Sequence, residues 1–333
     1  MWREVMRSTK LVKSLIVIAA VIICLGLGLL INSVKVEAAS KAKVTLEFTD
    51  GTKTTWKTGD EKIILGKKKL AYVYFGSYPQ TEVTGKKLTK AITGAKYDKN
   101  GVATVKGVKY KRISSADATY VSPSNSKYYK WAGKSYAYFK YEPIKWRVLN
   151  VSDKRAFLLA EYGLDSQKYN DEYTNITWEN CALRNWLNSD FISVAFTSGN
   201  KKLVKSTKLV NNDNSICGTE AGAETIDKVF LLSLDDVVNT KYGFSSNGDV
   251  EDINRRAATT AYAKAMGAWT GVDYMTSNGE CSSYWFLRSP GMDAGSAAYV
   301  IHYGSVIYLG SSVNIPDIPV RPALYLNLSS IIG

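Results

Sequence analysis

Apolar and polar positions alternate with a period of two over most of this chain, in runs too short for long helices. In KVTLEFTDGTKTTWKTG, Val44, Leu46 and Phe48 share one face, Asp50-Gly51 supplies a turn, and Thr54, Trp56 and Thr58 alternate back, which predicts a hairpin. KIILGKKKLAYVYFGSYPQTEV predicts another strand pair about Gly66, its second strand stopped by Gly76 and Pro79. Between Lys86 and Lys134, alternations such as GVATVKGVKYKRI predict further hairpins and a loop around SPSNSKYYKWAGK. Ile144, Trp146 and Val148 then mark one face of a strand, with Lys145, Arg147 and Leu149 opposite, and RAFLLAEY reads as a buried strand.

The period changes at Thr177. In TWENCALRNWLNSDF, Leu183, Trp186, Leu187 and Phe191 recur at helical spacing, with Thr177 as N-cap and Glu179 in the first turn. DKVFLLSLDDVVN predicts a strand from Val229 to Leu232 and a short helix capped near Ser233. NRRAATTAYAKAMGA (254–268) predicts an Ala-rich helix ending at Gly267. Strands and Gly-rich turns follow. Strands, then helices, then strands is the order of an α+β fold. Two of the last strands, YWFLRSPG (284–291) and VRPALYLNL (320–328), each carry an arginine just before a proline.

The N-terminus adds a location. Arg3, Arg7, Lys10 and Lys13 precede an apolar run from Leu15 to Ile31, and Val36-Glu37-Ala38 forms a small-residue exit. This pattern predicts a signal peptide over 1–39, cleaved after Ala38 or Ala39, the alternative being an uncleaved membrane anchor. Three cysteines lie beyond it, too few for a disulfide scaffold: Cys181 reads as a small buried group, and Cys217 and Cys281 could pair in an oxidising compartment.

Charge is uneven. Lys41–Arg147 carries 23 Lys and Arg against 8 Asp and Glu, whereas Val148–Gly333 carries 15 against 20. A basic half of a secreted chain is expected to meet wall polymers or acidic glycans rather than nucleic acid, or simply to keep the protein soluble. Contact with a membrane is expected only through an uncleaved N-terminal segment.

Eight phrases, YFGSYPQTEV, YEPIKWRVLN, EYGLDSQKYN, TWENCALRNWLNSDF, DKVFLLSLDDV, AATTAYAKAMGA, YWFLRSPG and VRPALYLNL, resemble in this order the domain-of-unknown-function family 6273 of secreted Gram-positive proteins. The resemblance runs from Tyr72 to Leu328 and implies class and location rather than mechanism. The final strands and the helices before them also resemble C-type-lectin-like folds, including the sulfatase-modifying-factor group. This implies a basic β-rich segment over 40–135 and a C-type-lectin-like α+β domain over 136–333. The formylglycine chemistry of that group does not carry over, because no matching cysteine pair is present.

In a loop-rich domain poor in cysteine, a guanidinium with five donors can pin several loops. Arg288 and Arg321 are therefore expected to be structural tethers, with Glu179, Asp190 and Asp227 as acidic partners to choose from. The single histidine, His302, is expected to be an ordinary strand residue sharing a face with Val300, opposite Tyr299, Ile301 and Tyr303. No nucleophile elbow, P-loop or dinucleotide fingerprint is present. Asp235-Asp236 and Asp249, Glu251 and Asp252 are the clusters through which carboxylate chemistry would run, and Asp249, Glu251 and Asp252 could instead hold calcium. Trp269, Tyr274, Tyr284, Trp285 and Tyr303, near Gly and Ser, are the expected ligand contacts, since flat rings beside amides and hydroxyls suit sugar faces. The leading expectation is a non-catalytic, secreted or surface protein binding extracellular carbohydrate or anionic wall polymer. The alternatives are a carboxylate-dependent enzyme on glycans or wall peptides, and a protein-binding surface module.

Overall fold

Val44, Leu46 and Phe48 point inward from β1 (Lys43–Phe48), and Trp56 of β2 (Lys53–Lys57) lies opposite Val44, as the alternation requires. Asp50 takes the Thr52 N–H at 2.9 Å in the turn, and Gly51 supplies a positive φ. This computed structural model describes residues 40–122 and 125–333. The expected signal over 1–39 and its exit site lie outside the described residues.

The expected strand pair about Gly66 does not form. Ile63 only bridges to Ile332, and the chain then enters β3 (Leu70–Glu82). That strand is not stopped at Gly76 or Pro79. Register shifts between Tyr74 and Ser77 and between Pro79 and Thr81 absorb both residues as bulges. Gly76 is required there: its φ is +72°, and a Cβ would meet the Phe196 ring at 2.5 Å.

The hairpin β4 (Val102–Val105) and β5 (Val108–Ile113) joins β6 (Ala137–Ser152), which runs on to β7 (Arg155–Ala160). Ile144 and Trp146 of β6 are fully buried, and the Trp146 indole donates to Phe75 O at 2.8 Å. β3 and β5 both pair with β6, so residues before and after 135 share one antiparallel sheet. Lys41–Gly333 forms one compact unit.

Beyond β8 (Asp165–Ser166), the helical pattern is realised in pieces. Thr177 does not cap the helix. Its carbonyl closes a separate turn with the Asn180 and Cys181 N–H groups, which drives Trp178 into the core to donate to Asp227. Cys181 is the N-cap of α1 (Ala182–Trp186), a π turn spans Leu187–Phe191, and α2 (Ile192–Ala195) completes the run. A short hairpin, β9 (Thr207–Leu209) and β10 (Thr225–Asp227), leads to β11 (Val229–Phe230). Ser233 and Asp236 form a capping box on α3 (Leu234–Val237), where the sequence places a cap.

The Ala-rich helix is much shorter than predicted. Arg255 turns inward, β12 (Ala257–Ala258) pairs with β13 (Ser282–Ser283), and only α4 (Ala261–Ala265) is helical, capped by Thr260. Tertiary pairing overrides alanine propensity there. β14 (Trp285–Pro290), β15 (Ser296–Val300) and β16 (Val306–Ser312) form a three-stranded sheet. β17 (Pro319–Val320) pairs with β8, and β18 (Ala323–Asn327) inserts between β11 and β7. Mostly antiparallel sheets with short helices make the fold α+β. Cys181 is buried, and Cys217 and Cys281 are free thiols rather than a disulfide. No helix among the described residues is long and apolar enough to cross a membrane.

Candidate functional site

Three buried arginines hold the loops from which the C-terminal surface is built. Arg321 is fully buried, donates to Ala160 O at 2.9 Å and Arg255 O at 3.1 Å, and lies 4.8 Å over the Trp285 ring. Burial pushes its pKa down to about 9. Arg288 donates to Leu231 O at 2.9 Å and to Asp236 at 2.7 Å. Neither contacts the expected acids. Asp227 instead takes Arg184 at 2.7 Å, while Asp190 is exposed.

The third, Arg255, was expected on a helix and is the most engaged of all. It donates to the carbonyls of Val237, Ser245, Asn247, Gly248, Val250 and Gly304, at 2.6 to 3.4 Å. Gly304 allows this close approach. Its φ is +94°, and a Cβ would fall 2.1 Å from Asp252 O. The guanidinium takes the carbonyls of the loop in which calcium was expected. Two of the three expected loop carboxylates, those of Asp252 and Glu251, are engaged within the protein. Asp252 accepts the Ser245 and Asn254 N–H groups, and Glu251 pairs with Arg256 at 3.1 Å. No group of three or more His, Cys, Asp or Glu among the described residues is placed to hold a metal ion. Asp235 and Asp236, the other expected carboxylates, hold Asn212 and Arg288.

Four of the five expected aromatic contacts converge on His302. Ring centroids of Trp269, Tyr274, Tyr284 and Tyr303 lie 5.2 to 5.4 Å from the imidazole, each edge-on. Trp269 and Tyr284 stack at 4.2 Å. The sequence alternation fails at the decisive position. Gly304 N–H closes a turn on Ile301 O, which brings His302 and Tyr303 together instead of onto opposite faces. Tyr274 and Tyr284 are held close by the Met275–Cys281 bridge, and Trp269 N–H is pinned by Asp317 O. Burial, then Lys127, lowers the His302 pKa. Its Nδ1 is enclosed and has no hydrogen-bond partner among the described residues. Lys127 lies 5.1 Å over Trp269, and Arg256 lies 5.2 Å over Tyr274. Trp285 does not join them. It is fully buried, and its indole donates to Arg255 O at 3.0 Å, so it is a core residue rather than a ligand contact.

A separate cavity of about 320 Å³ is lined by Gln80, Thr81, Glu142, Tyr162, Thr259 and Glu280, among others. Glu142 accepts the Thr81 hydroxyl at 2.6 Å. Oε2 of Glu280 is enclosed without a hydrogen-bond partner among the described residues. Burial and then the Glu280 charge raise the Tyr162 pKa. Most of these residues lie within the quoted family phrases, but no catalytic or ligand pattern in those phrases points to a shared cavity. Arg255 and Lys127 were missed for the same reason, whereas the Tyr-Gly pair after His302 was a legible turn signal.

The family model described as Domain of unknown function (DUF6273) matches residues 153–328, more than half of the chain. The chain belongs to the DUF6273 family. The match begins later than the Tyr72 expected from the quoted phrases, and YFGSYPQTEV and YEPIKWRVLN precede it. The DUF6273 region contains all three buried arginines and every ring of the His302 cluster, while Lys127, Gln80, Thr81 and Glu142 come from before it. No curated protein and no solved structure matches the chain.

Proposed function

We propose that this is a secreted or cell-surface protein that binds an extracellular glycan or anionic cell-wall polymer without turning it over, through the aromatic surface around His302. One observation carries the reading: Trp269, Tyr274, Tyr284 and Tyr303 surround one imidazole, with Lys127 and Arg256 against the outer rings. Ring edges and faces suit the C–H surface of a sugar, and the Lys127 ammonium suits its acidic groups, Arg256 being paired with Glu251. A C-type-lectin-like arrangement of residues 136–333 is part of the proposal, supported by the β14–β16 sheet following two short helical regions. Extracellular location is supported by the basic head, apolar run and small-residue exit of the N-terminus.

The test compares the protein with a Tyr274→Ala/Tyr303→Ala variant, both half-exposed positions. Affinity for an acidic glycan is expected to fall at least about tenfold, the equivalent of about 1.4 kcal/mol, with the fold retained by circular dichroism. Equal affinity in the two proteins would remove the His302 surface from the account. A second reading, carboxylate-dependent cleavage of a glycan, is favoured by one feature, that Glu142 and Glu280 line a common cavity. Product release abolished by Glu142→Gln or Glu280→Gln would establish it, and absence of product from the unaltered protein would dismiss it.

A further inference from the structure

The π turn at Leu187–Phe191 widens the helical run between α1 and α2. Such widenings are rare and frequently accompany functional sites. Leu187 and Phe191 are buried, while Trp186, the residue before the turn, stays partly exposed with its ring 5.6 Å from Phe191. Beside it lies a cleft of about 360 Å³, lined by Trp186, Asn185 and Asp190 on the helical side and by Gln167, Lys168 and Asp171 on the other. That volume falls in the range of roughly 300–1,000 Å³ usual for small-molecule sites.

The polar groups in the cleft are unevenly committed. Lys168 Nζ is held by Asp171 O at 3.2 Å, and Gln167 Nε2 reaches Asp165 at 3.4 Å. Among the described residues the Asn185 amide and the Trp186 indole N–H have no hydrogen-bond partner, and the Asp190 carboxylate takes only a long contact from Ser189 at 3.4 Å. An indole edged by a spare amide and carboxylates, with its one ammonium tied back to the backbone, suits hydroxyl groups and not an anion.

We propose that this cleft is a subsite for a neutral pyranose unit. The indole of Trp186 packs on the sugar's C–H face, and Asn185 and Asp190 take its hydroxyls. The proposal rests on the glycan-binding reading and adds an uncharged subsite to the charged one at His302.

The test follows the Trp indole NMR signals of the ¹⁵N-labelled full protein during titration with cellotriose and with triacetylchitotriose. Trp186→Phe and Trp269→Phe assign the two signals. One of the two sugars is expected to shift the Trp186 signal saturably. An Asn185→Ala/Asp190→Ala variant, altered only at exposed positions, is expected to weaken that binding at least tenfold. A neutral sugar that leaves Trp186 unmoved, while an acidic glycan still shifts Trp269, overturns the subsite and spares the His302 reading. An unchanged affinity in the double variant also overturns it. Silence of both signals towards every glycan overturns both.

Discussion

Arg255→Ala is expected to cost about 3–5 kcal/mol of folding stability, the range for removing one partner from a buried charged cluster. The guanidinium satisfies six carbonyls drawn from residues 237 to 250 and from Gly304. Without it most of those oxygens lose their donor, Gly248 O keeping the Val306 N–H, and Asp252, 3.7 Å from Nε, loses its cation. Arg255→Lys is expected to recover little, because an ammonium on a flexible stem cannot fan donors to six acceptors. Arg321→Met is the informative control. Among the described residues Arg321 makes two hydrogen bonds, leaves Nη2 unpartnered, and shares Arg255 O with the Trp285 indole, so a methionine of similar bulk should cost at most about 2 kcal/mol. Urea unfolding of the three variants measures the order. Arg321→Met as damaging as Arg255→Ala would contradict the assignment of Arg255 as the main tether.

A second large effect is expected with pH. Asp165 is buried, and burial raises its pKa from 3.8 to about 6, against the pull of hydrogen bonds from Tyr78, Ser166 N–H and Gln167. Its folded pKa is therefore above its unfolded one. The native state binds this proton more tightly, so the contribution is fully present below pH 3.8 and is lost as pH rises through about 6. A shift of that size is worth about 3 kcal/mol at 1.36 kcal/mol per unit. Glu161 and Asp50 have lowered pKa values and act in the opposite sense, so the effect of Asp165 is read as a difference between proteins. Asp165→Asn is expected to match the unaltered protein near pH 3.5 and to exceed it in stability at pH 7.5. A stability difference that does not change between those two pH values would show that Asp165 ionises normally.

What the sequence disclosed was local. The β1–β2 hairpin was legible because alternation and an Asp-Gly turn agree there, and the Ser233 cap because its motif lies within four residues. The helix expected from Thr177 starts only at Ala182, and the one expected over 254–268 is confined to Ala261–Ala265, because distant partners decide the residues before each. Trp178 left its helix for Asp227, and Arg255 left its helix for carbonyls up to 49 residues away. Gly76 and Pro79 read as stops, but a long sheet tolerates them as bulges. Of the candidate site, the aromatic residue types were legible and their convergence was not. Alternation separates His302 from Tyr303, and only the turn at Gly304 joins them. Trp285 carries the same chemistry as Trp269, and nothing in its neighbours announced that a buried arginine would cover it.

The central claim is glycan binding at the His302 surface, and salt separates it most directly from attraction by the basic half of the chain. Binding of the protein to purified wall polymers, mucins and neutral glycans, measured at low and high ionic strength, makes that separation. The account predicts that one acidic glycan class is retained at high salt and that Tyr274→Ala/Tyr303→Ala abolishes the retention. Binding to every polyanion that vanishes together at high salt, or no binding at all, would contradict it.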